Sequence, residues 1–288
     1  MATTTAQPAP TARFSRWTVV GVVLAFLLFA EILIAIQEPG PTPSSPPAYP
    51  FQEYGLTIHI LLVFALLFLA VFLQERDPVL TSFLVALSLA PLIRLFSLSM
   101  PRYWGLLPTD TLPWLAVVSV PLLTSIAAVA YVQGMRPRDL GLALDPWRKA
   151  AVQAAIGATG IPLGFVEYEI LTPAPWIASA SLLPILVGGL VIFFATGLSE
   201  ELIFRGIMLR RAIESLGEYP GVLFVTLVFT SLHVFFRNGY DLTFVFLVGL
   251  FYALAVVRTK SLWGVITSHT LGNLVLYLVA PVVFGVVR

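Results

Sequence analysis

Residues 184 to 209 read PILVGGLVIFFATGLSEELIFRGIML, an apolar run long enough to cross the roughly 30 Å of bilayer hydrocarbon, yet it carries Glu200, Glu201 and Arg205. An ionisable group at the centre of such a helix costs about 2.5 to 3.5 kcal/mol on insertion scales. The residues from Leu183 to Phe194 offset this with on the order of ten favourable side chains at about 0.3 to 0.6 kcal/mol each. Glu201 and Arg205 stand four apart with the acid N-terminal, the better orientation for an intrahelical ion pair, which lowers the remaining cost. The segment therefore reads as a transmembrane helix, in which Glu200 is a carboxylate without a local partner. Charges retained at such a place need a partner or a function.

The rest of the chain has the same character. Of its 288 residues, 58% are hydrophobic and 11% charged, and the mean hydropathy is +0.94. Soluble domains use roughly 45 to 50% apolar and 25% charged residues. Further runs of spanning or near-spanning length are Trp17 to Ile36, Gly55 to Leu73, Val79 to Leu98, Leu112 to Val132, Ala150 to Ile170, Gly221 to Phe236, Leu242 to Val257 and Leu262 to Phe284. The expected fold is all-α, a polytopic transmembrane helical bundle of eight or nine spans. The number is open because the runs at Gly221 and Leu242 are short and Pro281 is placed to end the last one early. With Lys+Arg at 16 against Asp+Glu at 15, the net charge of +1 gives a nucleic-acid partner no electrostatic support. The absence of cysteine removes disulfides, thiolate zinc ligands and cysteine nucleophiles together.

Basic residues set the expected orientation. With a cytoplasmic N-terminus, the inner segments hold Arg13, Arg16, Arg76, Arg136, Arg138, Arg148, Lys149, Arg205, Arg210, Arg211, Arg258 and Lys260, against Arg94, Arg102, Arg237 and Arg288 towards the outside. The expectation is a multi-pass protein of the cell membrane with its N-terminus in the cytoplasm. Its organisation reads as a disordered cytoplasmic tail at 1–16, a four-helix transmembrane region at 17–135, a cytoplasmic linker at 136–149 and a C-terminal transmembrane region at 150–288. The first outer loop, PGPTPSSPPAYP from Pro39 to Pro50, favours polyproline II or disorder and is assigned no chemistry.

Two more polar clusters interrupt apolar segments after the linker: FTSLH, from Phe229 to His233, and HTLGN, from His269 to Asn273. At 1.5 Å per helical residue from the nearest residue expected at the inner surface, Glu200 lies about 15 Å deep, His233 about 21 Å, His269 about 13 Å and Asn273 about 20 Å. Each cluster has a plain reading by itself. The acidic cluster resembles a solvated helix end with an ordinary i,i+4 pair, and a lone histidine usually packs against a carbonyl. The conjunction shifts the balance, since two of the chain's three histidines stand at matched depth beside an acidic pair. A carboxylate facing an apolar cavity suits a general base, His233 suits water activation or a metal, and His269 with Asn273 suits donation to a developing oxyanion. His59 has no polar partner close in sequence and reads as structural. Glu31, Arg94, Glu167 and Glu169 read as helix-end or snorkelling residues without a catalytic role.

EELIFR, FTSLH and HTLGN resemble, in order and approximate separation, the EExxxR, FxxxH and HxxxN/B motifs of the CPBP intramembrane protease family. This family includes the type II CaaX prenyl endopeptidases and the Abi-type proteins linked to bacteriocin processing and self-immunity. The resemblance covers roughly Ala180 to Val279. It implies a membrane endopeptidase whose cavity opens to the cytoplasmic side and whose substrate is a membrane-associated peptide or protein. By motif match, Glu200 is the catalytic carboxylate and His233 its partner in water activation. Glu201 and Arg205 support the site, and His269 with Asn273 stabilises the tetrahedral intermediate.

Other intramembrane protease chemistries lack their residues: there is no HExxH, no GxSG and no GxGD. The metal question stays open, because Glu200, His233 and His269 are credible Zn2+ ligands and equally suit a metal-free glutamate mechanism. Two non-hydrolytic readings compete: an immunity or scaffold protein that binds hydrophobic peptides, and a small proton-coupled transporter. Transport favours paired halves, whereas all three clusters fall in one half.

Overall fold

The computed structural model describes residues 16–40, 47–97, 107–143, 147–179 and 181–285. The tail expected at 1–16 therefore lies outside the described residues except for Arg16. Among the described residues, nine helices are long and apolar enough to cross a membrane. They are α1 (Arg16–Ala35), α2 (Gln52–Leu73), α3 (Pro78–Leu95), α4 (Thr111–Val132), α5 (Ala150–Leu171), α6 (Leu182–Leu216), α7 (Glu218–Phe236), α8 (Gly239–Thr259) and α9 (Trp263–Phe284). The protein is an all-α, multi-pass membrane protein. Side chains such as Phe64, Phe68 and Val71 on α2, and Leu182, Leu186 and Leu190 on α6, are exposed, as lipid-facing residues are.

Each boundary has a local cause. Asp77 caps α3, its carboxylate accepting from the Leu80 N–H at 3.0 Å, with Pro78 in the first turn where no N–H is needed. Asn238 caps α8 by accepting from the Tyr240 and Asp241 N–H groups at 2.9 and 3.2 Å. α7 is α-helical over Glu218–Ser231 and ends in a tighter turn, Val234–Phe236, which accounts for the short apolar run there. α9 does not stop at Pro281. A π-helical segment, Val275–Val279, precedes it, so the proline falls where the hydrogen-bond ladder changes register. α6 is 35 residues long, about 52 Å at the helical rise, and its last turns carry Arg210, Arg211 and Glu214.

α5 and α9 approach at backbone contact. A Cβ on Gly160 would lie 2.0 Å from the Ser268 carbonyl oxygen, and one on Gly164 2.4 Å from that of Gly272. This spacing of four, small residue over small residue, is how membrane helices gain contact without a hydrophobic driving force. It brings the face of α5 that bears Glu167 against the helix that bears His269 and Asn273.

The sequence expectation for Glu31 and Arg94 changes here. Glu31 and Arg94 do not snorkel: they are 0% and 3% exposed and form a bidentate pair, Arg94 Nε to Glu31 Oε1 at 2.7 Å and Nη2 to Oε2 at 2.6 Å. His59 is fully buried and not isolated, its Nε2 lying 3.1 Å from Glu31 Oε1, although the two are not aligned as a hydrogen bond. A carboxylate and a guanidinium both excluded from water gain far more from each other than from a distant interface. The proline-rich loop also has structure on both flanks of residues 41–46, which lie outside the described residues. Glu38 and Ala48 exchange backbone hydrogen bonds at 2.9 and 3.0 Å, and Gln37 Nε2 donates to Tyr49 Oη at 2.9 Å.

The segment after α4 is folded in turns over 137–141 and docked on the bundle. Gly141 accepts from the Leu262 N–H at 2.9 Å, and Leu142 accepts from Trp263 Nε1 at 3.3 Å. Asp139 closes the turn by accepting from the Arg136 N–H at 2.9 Å, and that bond holds its carboxyl below the usual range, aided by Arg210.

Candidate active site

The three motif segments sit where regular α-helix gives way. In α6 the triplet Ser199–Glu201 stands between two π-helical segments, Phe193–Leu198 and Leu202–Met208. In α9, Asn273 stands next to the π segment that begins at Val275. Such widened turns re-aim side chains and are found disproportionately at functional sites. Gly197 permits the α6–α9 contact, since a Cβ there would lie 2.1 Å from Thr270 Oγ1.

The paired glutamates have different surroundings. Glu201 is 0% exposed; its Oε1 accepts from Arg205 Nη1 at 2.9 Å and from His269 Nδ1 at 2.8 Å. Arg205 is fixed in turn by the Gly249 carbonyl at 3.3 Å and by the Phe229 ring, 4.3 Å from its guanidinium carbon. A guanidinium over an aromatic face in a desolvated site is held by the ring quadrupole as well as by the ion pair. Glu200, one residue earlier, has no ion pair within hydrogen-bond distance among the described residues. Its side chain is 18% exposed and lies 3.8 Å from His269 Nε2.

The tautomers follow from the partners. The carboxylate of Glu201 can only accept, so His269 carries hydrogen on Nδ1 and turns Nε2 towards Glu200. The Phe229 carbonyl likewise accepts from His233 Nδ1 at 3.0 Å, which leaves Nε2 of that ring for the cavity. Phe229 thus explains its spacing to His233: its ring holds Arg205 while its carbonyl, one turn back, orients the imidazole. Asn273 spends one amide hydrogen on Thr196 Oγ1 at 3.0 Å and retains the other.

Glu200 and His233 line two small cavities that also share Phe229 and Phe236. Each holds about 60 Å³ of interior space, room for a few waters. Arg94, Thr196, Leu115 and Leu122 line one; Glu167, Tyr252, His269, Asn273 and Tyr277 line the other. The structure therefore gathers all six candidates, Glu200, Glu201, Arg205, His233, His269 and Asn273, around one region between α5, α6, α7, α8 and α9.

Residues 182–275 match the family model described as Type II CAAX prenyl endopeptidase Rce1-like. Over this Rce1-like region, about a third of the chain, the protein is similar to that family. The region begins with the first residue of α6, ends two residues past Asn273, holds all three motif segments, and leaves α1 to α5 outside. No curated protein and no solved structure matches the chain.

Within the Rce1-like region the candidate zinc ligands do not assemble as a set. Among the described residues, no three His, Cys, Asp or Glu side chains group at metal-ligand spacing. Nδ1 of both histidines is already committed to protein acceptors. Glu201, Arg205 and His269 form one hydrogen-bonded network, while Glu200 and Nε2 of His233 are left to the cavities.

Several residues at the site carry no local sequence signal. Tyr252 lines the second cavity and donates to Ser268 Oγ at 2.8 Å, which lies 2.9 Å from Thr159 Oγ1. Glu167, read from sequence as a helix-end residue, lines the same cavity instead. It lies within electrostatic range of Asp241, His269 and Glu200. Only the depth count that aligned the other clusters, extended to α5, would have flagged it.

Proposed function

We propose that the Rce1-like region is an intramembrane endopeptidase that hydrolyses a peptide bond of a membrane-associated substrate with a water activated by Glu200. The observation that carries this reading is the asymmetry of the glutamate pair. Glu201 is spent on Arg205 and His269, whereas Glu200 faces the cavities unpaired beside two oriented imidazoles. In a low-dielectric site, a fixed carboxylate next to fixed donors needs little reorganisation as charge develops.

In this mechanism Glu200 takes a proton from water as the oxygen attacks the scissile carbonyl. The cavity-facing Nε2 of His233 positions that water. In its imidazolium form, held by Glu201 through Nδ1, His269 donates Nε2–H to the oxyanion together with the second amide hydrogen of Asn273. Glu200 then returns the proton to the leaving amine. The negative charge passes from the Glu200 carboxylate to the oxyanion as the proton is taken, so the net charge of the site does not change, and Arg205 neutralises Glu201 throughout. Nothing in the sequence requires a metal, and the donor arrangement favours the metal-free form.

The test uses full-length protein in proteoliposomes and a quenched fluorogenic peptide anchored by a farnesylated cysteine, with an N-acylated version as a second probe. Cleavage of either probe that persists after treatment with a zinc chelator supports the proposal. Loss of cleavage on chelation, with recovery on zinc addition, would overturn the metal-free mechanism. If neither probe is cut, but solute flux follows an imposed pH gradient, the transporter reading prevails.

A further inference from the structure

Three separate ties run from the N-terminal helices onto the turn that carries His233. Arg94 Nη2 donates to the carbonyl of Leu232, the residue before His233. The Phe235 ring stacks on Tyr49 with centroids 6.2 Å apart. Arg237 Nη1 donates to Gln37 Oε1. These contacts come from α3 and the loop between α1 and α2, neither of which belongs to the Rce1-like stretch.

The Arg94 tie is the strongest. α7 loses its regular ladder at Ser231, so the carbonyls of its last turn need donors from elsewhere, and they carry the negative end of the helix dipole. A guanidinium answers both needs. Arg94 is itself fixed by both oxygens of Glu31 and by Ser97 Oγ at 2.8 Å, and His59 packs against Glu31 from α2. Three helices thus supply one buried cluster whose outward contact is the backbone beside His233. Arg94 also lines the cavity shared by Glu200 and His233.

We infer that Glu31, His59 and Arg94 form a positioning unit for His233: Glu31 and His59 aim Arg94, and Arg94 fixes the Leu232 carbonyl so that the imidazole keeps its register against Glu200. The inference rests on the hydrolytic reading for its catalytic consequence but not for its structural one. A lysine cannot replace Arg94, because one ammonium does not reach two carboxylate oxygens and a carbonyl in a fixed fork.

The experiment compares wild type with Arg94→Lys and with the double variant Glu31→Gln/Arg94→Gln. The double variant removes both charges together, so neither is left uncompensated in the interior. Cleavage of the farnesylated fluorogenic peptide is measured alongside amide hydrogen exchange of a peptide spanning 230–237. The expected result for both variants is folded, monodisperse protein, kcat lowered about 10- to 100-fold, KM unchanged within about twofold, and faster exchange confined to 230–237. A displacement of about 1 Å at a catalytic group is enough for losses of that size. A folded double variant with wild-type kcat and wild-type exchange would overturn the inference. So would an equal rise in exchange across every helix, which marks general loosening. If wild type cuts neither the farnesylated nor the N-acylated peptide, the hydrolytic reading fails and the exchange result alone decides whether the cluster holds the turn.

Discussion

Glu200 and Glu201 are adjacent in sequence, and their substitutions should fail in opposite ways. Glu201→Ala leaves the buried Arg205 guanidinium without its carboxylate and the His269 Nδ1–H without an acceptor. Removing one partner of a buried pair costs about 3 to 5 kcal/mol, so this variant should unfold at markedly lower temperature in detergent and lose activity with its fold. Arg205→Lys keeps the charge but gives up the planar contact with the Phe229 ring, and should lose stability more mildly than Glu201→Ala. Glu200→Gln touches no ion pair within hydrogen-bond distance and should melt within a few degrees of wild type. Thermal unfolding of the three proteins checks the order. The division between the two glutamates was partly legible beforehand, because the i,i+4 spacing assigns Arg205 to Glu201 and leaves Glu200 over. That His269 also binds Glu201 was not legible, since the pair spans 68 positions and nothing local marks it.

Helix geometry decides where these side chains point. The π-helical segments beside Ser199–Glu201 and after Asn273 are absent from any hydropathy pattern, because apolar periodicity reports which face is buried and not a one-residue change of register. The spans themselves were readable from run length, and the glycines that close α5 on α9 were readable only as glycines. Gly164→Ala should push its methyl against the Gly272 carbonyl and cost about 1 to 3 kcal/mol, whereas Gly21→Ala, with open space around it, should be neutral. Paired melting curves would show the contrast. The turn at Asp139 gives a pH-dependent expectation. Its carboxyl is held below the unfolded value, so the stability it lends is present above that value and is lost as pH falls through the lower, folded one. The difference in melting temperature between wild type and Asp139→Asn should accordingly be constant near neutrality and vanish only in strong acid.

The whole molecule joins two parts that the sequence presents separately. The motif-bearing part declares itself through three polar clusters in apolar runs. The N-terminal helices show only scattered single charges, and a single charge in an apolar run has several readings until its partner is known. Glu31 and Arg94 lie 63 residues apart, and their pairing turns two apparent helix-end residues into an internal bracket reaching the His233 turn. The distribution of basic residues predicts a cytoplasmic N-terminus, and the absence of cysteine makes that testable without a background. Single cysteines at Arg138 and at Tyr240, on opposite ends of the bundle, should react with a membrane-impermeant maleimide from the cytoplasmic and the outer side respectively. The reverse pattern would turn the protein over in the membrane.

The central claim is that Glu200, with no ion pair at hydrogen-bond distance beside a fixed Glu201, is the group that activates water in a shared cavity. Its most direct measurement is the turnover of the farnesylated fluorogenic peptide by wild type and by Glu200→Gln in proteoliposomes, with folding of both verified by thermal unfolding. Loss of the general base should lower kcat by about 10²- to 10⁴-fold at unchanged stability. A folded Glu200→Gln protein that cleaves the peptide at the wild-type rate would contradict the account.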